Sequence, residues 1–145
     1  MTDLRTIALF SLITLTGVAG CSSDTYDTNA NSDQATNADY RSSNNSYMHD
    51  TSVGTVMTTP QGMTVYTFDK DQGGQSNCYG ECAVHWPPVT AASDAQPFGN
   101  MSVVERTDGN RQWAYAGKPL YTYHDDTAPG NVEGDGKGGI WHVVK

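Results

Sequence analysis

The hydrophobic pattern divides the chain into three stretches. Residues 7–18 (IALFSLITLTGV) are apolar and uncharged. They are too few for a bilayer-spanning helix, which needs about 20 apolar residues, and match the core of an export signal, about 7–15 residues long. Residues 22–50 contain no Leu, Ile, Val, Phe or Trp, and 19 of these 29 are Ser, Asp, Thr or Asn. Such a stretch cannot bury enough apolar area to offset its ordering entropy, so it is expected to be a disordered tether. Beyond residue 50, apolar and polar positions alternate with a period of two. The alternation predicts strands over 53–58, 63–69, 101–106, 112–116, 119–124 and 140–144. Pro60-Gln61-Gly62, Asp108-Gly109-Asn110 and Ala116-Gly117-Lys118 supply turns between them. A sustained 3.6-residue period is absent, and only 77–85 suits a short helix. Residues 51–145 are therefore expected to form a small, mainly β single domain, long enough for one core but not two.

Within that domain the chain repeats itself at an offset of 55. GMTVYTFDKD (62–71) aligns with GKPLYTYHDD (117–126), and the same offset carries Trp86 onto Trp141 and Val89 onto Val144. Two pseudo-symmetric β repeats, about 54–89 and 109–144, are expected to share one core, because neither alone could bury its apolar face. Strand alternation puts Tyr66 and Phe68 on one face and Tyr121 and Tyr123 on one face of the counterpart. Tyr66 and Tyr121 are expected to be buried in equivalent places, as are Trp86 and Trp141. Asp71 and Asp126 fall just past the strand ends, where each carboxylate can accept backbone N–H groups from the following Gly- or Pro-containing turn. A structural role is expected for both, with similar losses of stability on removal. A paired ligand site on the twofold is the alternative.

The Tyr66-Thr67-Phe68-Asp69-Lys70-Asp71 string resembles the bacterial secreted or lipoprotein repeats defined by a Y-x-[FWY]-x-x-D motif. So do Cys78-Tyr79-Gly80-Glu81-Cys82, Trp86-Pro87-Pro88, Gln112-Trp113-Ala114-Tyr115 and the GDG…WH stretch at 134–142. Val65 stands where many such repeats have Leu. The resemblance spans nearly all of 51–145. It implies an exported repeat protein and brings no catalytic residues with it.

The N-terminal stretch agrees. Val18-Ala19-Gly20-Cys21 resembles a bacterial lipobox, which implies removal of residues 1–20 and acylation of Cys21. Several acyl chains, at about 0.8 kcal/mol per buried CH₂, anchor a protein stably. Ser22 after the Cys favours the outer membrane if the envelope is Gram-negative. Net charge is −8, from 8 Lys+Arg against 16 Asp+Glu. That balance argues against a nucleic-acid partner, which requires a basic footprint.

With Cys21 acylated, Cys78 and Cys82 remain as an even pair in an oxidising compartment, where a disulfide is the expected state. A thiol pair for redox or soft-metal chemistry is the alternative. His85, His124 and His142, with Met57, Met63 and Met101, offer metal-ligating atoms, but no two share a ligand spacing on one predicted element. Asp125, Asp126, Glu133 and Asp135 offer oxygens to calcium without the ligand order of an EF-hand. No metal or other cofactor is expected from these weak candidates, and no nucleophile elbow, zincin helix or phosphate loop is present. Three Trp and seven Tyr beyond residue 30 serve as core, or in part as a sugar- or protein-binding surface. The expectation is a lipid-anchored, non-enzymatic envelope module whose partners are membrane lipid, through Cys21, and an envelope protein or wall component. The alternative is an envelope redox or copper-type metal-handling protein using Cys78, Cys82 and His85.

Overall fold

A computed structural model describes residues 34–35 and 47–145; the expected export signal, Cys21 and most of the tether lie outside the described residues. The described strands are β1 (Gln34–Ala35), β2 (Met48–Thr51), β3 (Gly54–Met57), β4 (Tyr66–Phe68) and β5 (Thr90–Ala91), followed by β6 (Met101–Glu105), β7 (Arg111–Tyr115), β8 (Lys118–Pro119) and β9 (Trp141–Val143). One short helix, α1 (Glu81–His85), precedes β5, and a 3₁₀ turn (Lys137–Gly139) precedes β9. Among the described residues no helix is long and apolar enough to cross a membrane.

Each repeat opens with an antiparallel hairpin, β2–β3 in the first and β6–β7 in the second. A motif strand follows, then a loop carrying α1 or the 3₁₀ turn, then a short closing strand. The closing strands are exchanged. β5 of the first repeat pairs with β7 of the second, and Trp113 N–H donates to the Val89 carbonyl at 2.8 Å. At the end of β9, the Val144 carbonyl of the second repeat accepts Met57 N–H of the first at 2.7 Å. The motif strands meet on the pseudo-twofold axis, where Tyr66 N–H donates to Tyr121 O at 2.8 Å and Tyr121 N–H donates to Tyr66 O at 3.0 Å. Because the ladders cross between repeats, one half alone leaves backbone donors and acceptors without partners.

Side chains alternate along the motif strands, so each strand feeds two cores. Val65 and Leu120 enter an apolar cluster with Val89, Met101, Trp113 and Val144. Tyr66 and Tyr121 enter an aromatic cluster with Cys78, Trp86, Tyr123 and Trp141.

Several elements are shorter than the alternation predicts, for local reasons. Of 119–124, only Pro119 lies in a strand, β8, and Tyr121 makes single bridges to Tyr66 and to Pro88. Pro119 has no N–H with which to continue a ladder. Of 77–85, only Glu81–His85 is helical. It starts after Gly80 (φ 59°) and stops at Trp86 (φ −127°, ψ 74°), the residue before Pro87, which proline excludes from helical geometry.

Two strands fall inside the stretch expected to be a tether. Tyr47 packs on the apolar cluster, Met48–Thr51 is β2, and Gln34–Ala35 runs parallel to β5. His49 and Asp50 are exposed and polar, so nothing in β2 itself signals a strand; it forms because the β3 backbone lies alongside. Each repeat consequently begins one strand before 54 and 109.

Candidate functional site

The motif tyrosines and aspartates form two brackets across the repeats. Tyr66 of the first repeat donates to Asp126 Oδ2 of the second at 2.6 Å, and Tyr121 of the second donates to Asp71 Oδ2 of the first at 2.8 Å. The other oxygen of each carboxylate accepts a loop N–H: Asn77 to Asp71 at 2.7 Å and Glu133 to Asp126 at 2.9 Å. Residue spacing suggests the loop N–H groups. The hydroxyl partners are 60 and 50 residues away and emerge only from the fold.

The brackets differ in their surroundings. Asp126 is 4 % exposed, and the Tyr66 hydroxyl also accepts Gly134 N–H at 3.3 Å. Gly134 lies so close to the Trp86 and Tyr66 rings that a Cβ there would sit 2.8–2.9 Å from their atoms. Burial, followed by the Asp126 carboxylate, holds the Tyr66 phenol well above its ordinary value. Asp71 is only half-buried, and its Tyr121 partner continues into a polar chain. Since the Tyr121 proton goes to Asp71, the Ser76 hydroxyl donates to the Tyr121 oxygen at 2.7 Å and accepts Arg106 Nη1 at 2.7 Å. The Arg106 side chain is buried; it also donates to Gln112 Oε1 and the Cys78 carbonyl, both at 2.8 Å, and stands 4.4 Å from the Tyr79 ring centre. Burial raises Asp71 above the ordinary carboxylate value, outweighing the opposing Asn77 and Tyr121 hydrogen bonds and the Arg106 charge. The sequence marks Arg106 only as a strand end, and its burial follows from the loop folded over it.

Between α1 and the 3₁₀ turn the aromatic cluster opens into a cleft of about 510 Å³. Trp86 and Trp141 stack across the axis at 3.8 Å with planes 4° apart, and Phe68 stacks on Trp141 at 4.1 Å. Tyr123 leans on Trp86 at 4.3 Å, and Ile140 adds an aliphatic wall. Four pairs of lining residues are equivalent at the offset of 55: Phe68 with Tyr123, Cys82 with Lys137, His85 with Ile140 and Trp86 with Trp141. The aromatic pairs keep their character in both repeats. The polar positions do not, and His85, His124 and Lys137 are left on the rim.

Cys78 and Cys82 form a disulfide with Cα atoms 5.2 Å apart, fastening the start of α1. The thiol chemistry considered from the sequence therefore has no free sulfur in this state. His85 and His124 come together, Nδ1 to Nε2 at 3.5 Å. His142 instead bonds Asp69 at 2.8 Å. Of the calcium candidates, Asp126 is engaged as above, Asp135 Oδ1 accepts Val143 N–H at 3.1 Å, and Glu133 is exposed. Among the described residues, no three His, Cys, Asp or Glu side chains are placed to share a metal ion.

Exchanged closing strands, paired Tyr–Asp brackets and stacked tryptophans define a two-repeat β module built around a pseudo-twofold axis. The chain belongs to the family described as a secreted repeat of unknown function, which matches it twice, at 48–90 and 102–145. Each match starts at or beside a hairpin strand, β2 or β6, and covers one complete repeat. Comparison with curated proteins and with solved structures gave no match.

Proposed function

We propose that the protein is a lipid-anchored, non-enzymatic binding module of the bacterial envelope, held by acylated Cys21, which engages an envelope protein or wall component through the aromatic cleft. The observation that carries this reading is the cleft of about 510 Å³ on the repeat axis, floored by stacked tryptophans. The edges of this ring stack, with the Ile140 side chain beside them, offer an apolar surface held rigid before a partner arrives, and the Lys137 ammonium on the rim can orient that partner. Binding is favoured over catalysis because Asp71 and Asp126 are committed to the brackets and neither lines the cleft. The secreted family and the Val-Ala-Gly-Cys stretch support the address.

Two measurements test the reading. Cys21→Ser should leave uncleaved or mislocalised precursor; a variant still acylated in the same membrane fraction would remove the anchor from the account. A partner captured from envelope extract by the wild-type chain should be lost with Lys137→Glu and Ile140→Glu. Equal capture by these rim variants would show that the cleft is not the binding surface.

A further inference from the structure

Four rings form one continuous stack across the pseudo-twofold, in the order Phe68, Trp141, Trp86, Tyr123, at centre distances of 4.1, 3.8 and 4.3 Å. Each tryptophan is thereby covered on both faces, and only its ring edges are left to line the cleft. Aromatic edges carry the positive side of the ring quadrupole, so they attract the face of another ring or a negatively charged oxygen. A sugar platform needs an open ring face, which neither tryptophan offers. The charges around the cleft agree. Among the described residues no Asp or Glu lines it, although the chain carries 16, and Lys137 is the one Lys or Arg there. The Lys137 ammonium stands 5.1 Å from the Tyr123 ring centre and has no ion pair among the described residues. His85 and His124 are bonded to each other, and Asp125, outside the lining, already takes the Tyr123 hydroxyl at 2.8 Å and His124 Nε2 at 3.0 Å.

We propose, resting on the binding-module reading above, that the cleft receives a polypeptide segment of an envelope protein in which an aromatic side chain stands beside a carboxylate. The incoming ring sets its face on the Trp86 and Trp141 edges with Ile140 beside it, and the carboxylate meets the Lys137 ammonium. The cleft of about 510 Å³ lies within the range of about 300–1,000 Å³ typical of ligand sites, and holds one such side chain with its flanking backbone. Its walls are fixed before the partner arrives. The Cys78–Cys82 disulfide fastens α1 on one side, and Gly136 N–H donates to the Trp141 carbonyl at 2.9 Å on the other. An aliphatic segment forgoes the ring contact and a basic segment meets the Lys137 charge, so the cleft selects on both features. A glycan strand brings no ring face and is the occupant that the test excludes.

The blocked tetrapeptide Gly-Asp-Trp-Gly, titrated into the isotope-labelled full chain in detergent, should shift the indole N–H resonances of Trp86 and Trp141 saturably. The Trp113 resonance, from the other core, should stay in place. Ala in place of the peptide's Trp should abolish the shifts. Asn in place of its Asp should weaken binding about three- to fivefold, the upper range for an exposed ion pair. Lys137→Gln should weaken the Asp peptide by the same factor and leave the Asn peptide unchanged. Lys137 is exposed, so this variant should keep the wild-type thermal midpoint, which separates ligand loss from misfolding. Absence of saturable shifts with the tetrapeptide, shifts with chitotriose in its place, or a Lys137→Gln effect equal on both peptides would overturn the proposal. Capture from envelope extract that is lost in the rim variants, beside a silent tetrapeptide titration, would keep the binding-module reading and remove only the ligand assigned here, so the two failures are distinguishable.

Discussion

The Tyr66–Asp126 and Tyr121–Asp71 brackets are made by the same motif in the same register, yet they are different physical objects. The first is closed: Asp126 is buried, and Gly134 seals it against the Trp86 ring. The second is half-open and leads through Ser76 to the buried Arg106 guanidinium. A duplicated motif has kept its hydrogen bonds while the loops around it diverged. The loops set how much each bond contributes, because an unsatisfied group costs most where water cannot replace the missing partner.

The largest expected effect is a test of the closed side. Gly134→Ala drives a methyl group to within 2.9 Å of stacked rings that have no room to turn. Overpacking costs typically about 1–3 kcal/mol and occasionally more, so the thermal midpoint should drop by about 10 °C or more. Next, removing the carboxylates should separate the brackets. Asp126→Ala leaves the buried Tyr66 hydroxyl without an acceptor and should cost about 2–3 kcal/mol. Asp71→Ala should cost about 1 kcal/mol or less, since Ser76 still bonds Tyr121 and water reaches the site. The similar losses expected from sequence equivalence alone do not apply, because the burial is unequal; equal losses in denaturant melts would contradict the distinction.

A subtler test uses pH. Burial raises folded Asp71 above its ordinary value of 3.8. Its favourable contribution is therefore fully present below that value and lost as pH rises through the folded one. Stability measured across this window should fall in wild type relative to Asp71→Asn, and parallel profiles would contradict the shift. The smallest effect concerns the β7–β8 turn, where Ala116 takes φ 49° before Gly117 at φ 79°. Left-handed geometry costs a residue with a Cβ about 1–2 kcal/mol, more than the roughly 0.5–1 kcal/mol entropic cost of glycine. Ala116→Gly should therefore raise the midpoint by a few degrees, and a lower midpoint would contradict this.

The repeat was legible in the sequence because its signal is periodic and aromatic. Matching Tyr, Trp and Gly at a constant offset survive in the chain as text, and the twofold then follows from burial. The Tyr66–Asp126 partnership was not legible, because exchange of closing strands couples residues 60 apart and leaves no local trace. β2 was hidden for a related reason. His49, Asp50 and Thr51 are strand residues only by virtue of β3, and tertiary pairing overrides a polar composition. The His85–His124 corner was masked by the symmetry itself, since aligning the repeats sets His85 against Ile140 and gives no reason to place a second imidazole beside it. Cys78 and Cys82 were readable from their even count in an exported chain, and the pair is a disulfide.

The central claim is that the motif carboxylates join one repeat to the other. A double-mutant cycle of Tyr66→Phe and Asp126→Ala measures this directly, by chemical denaturation of each single variant and the pair. The two groups share a buried hydrogen bond of 2.6 Å across the axis, so the cycle should return a coupling of about 1–3 kcal/mol. Losses that add to within about 0.5 kcal/mol would mean the two residues act separately, and the bracket would not be what holds the repeats together.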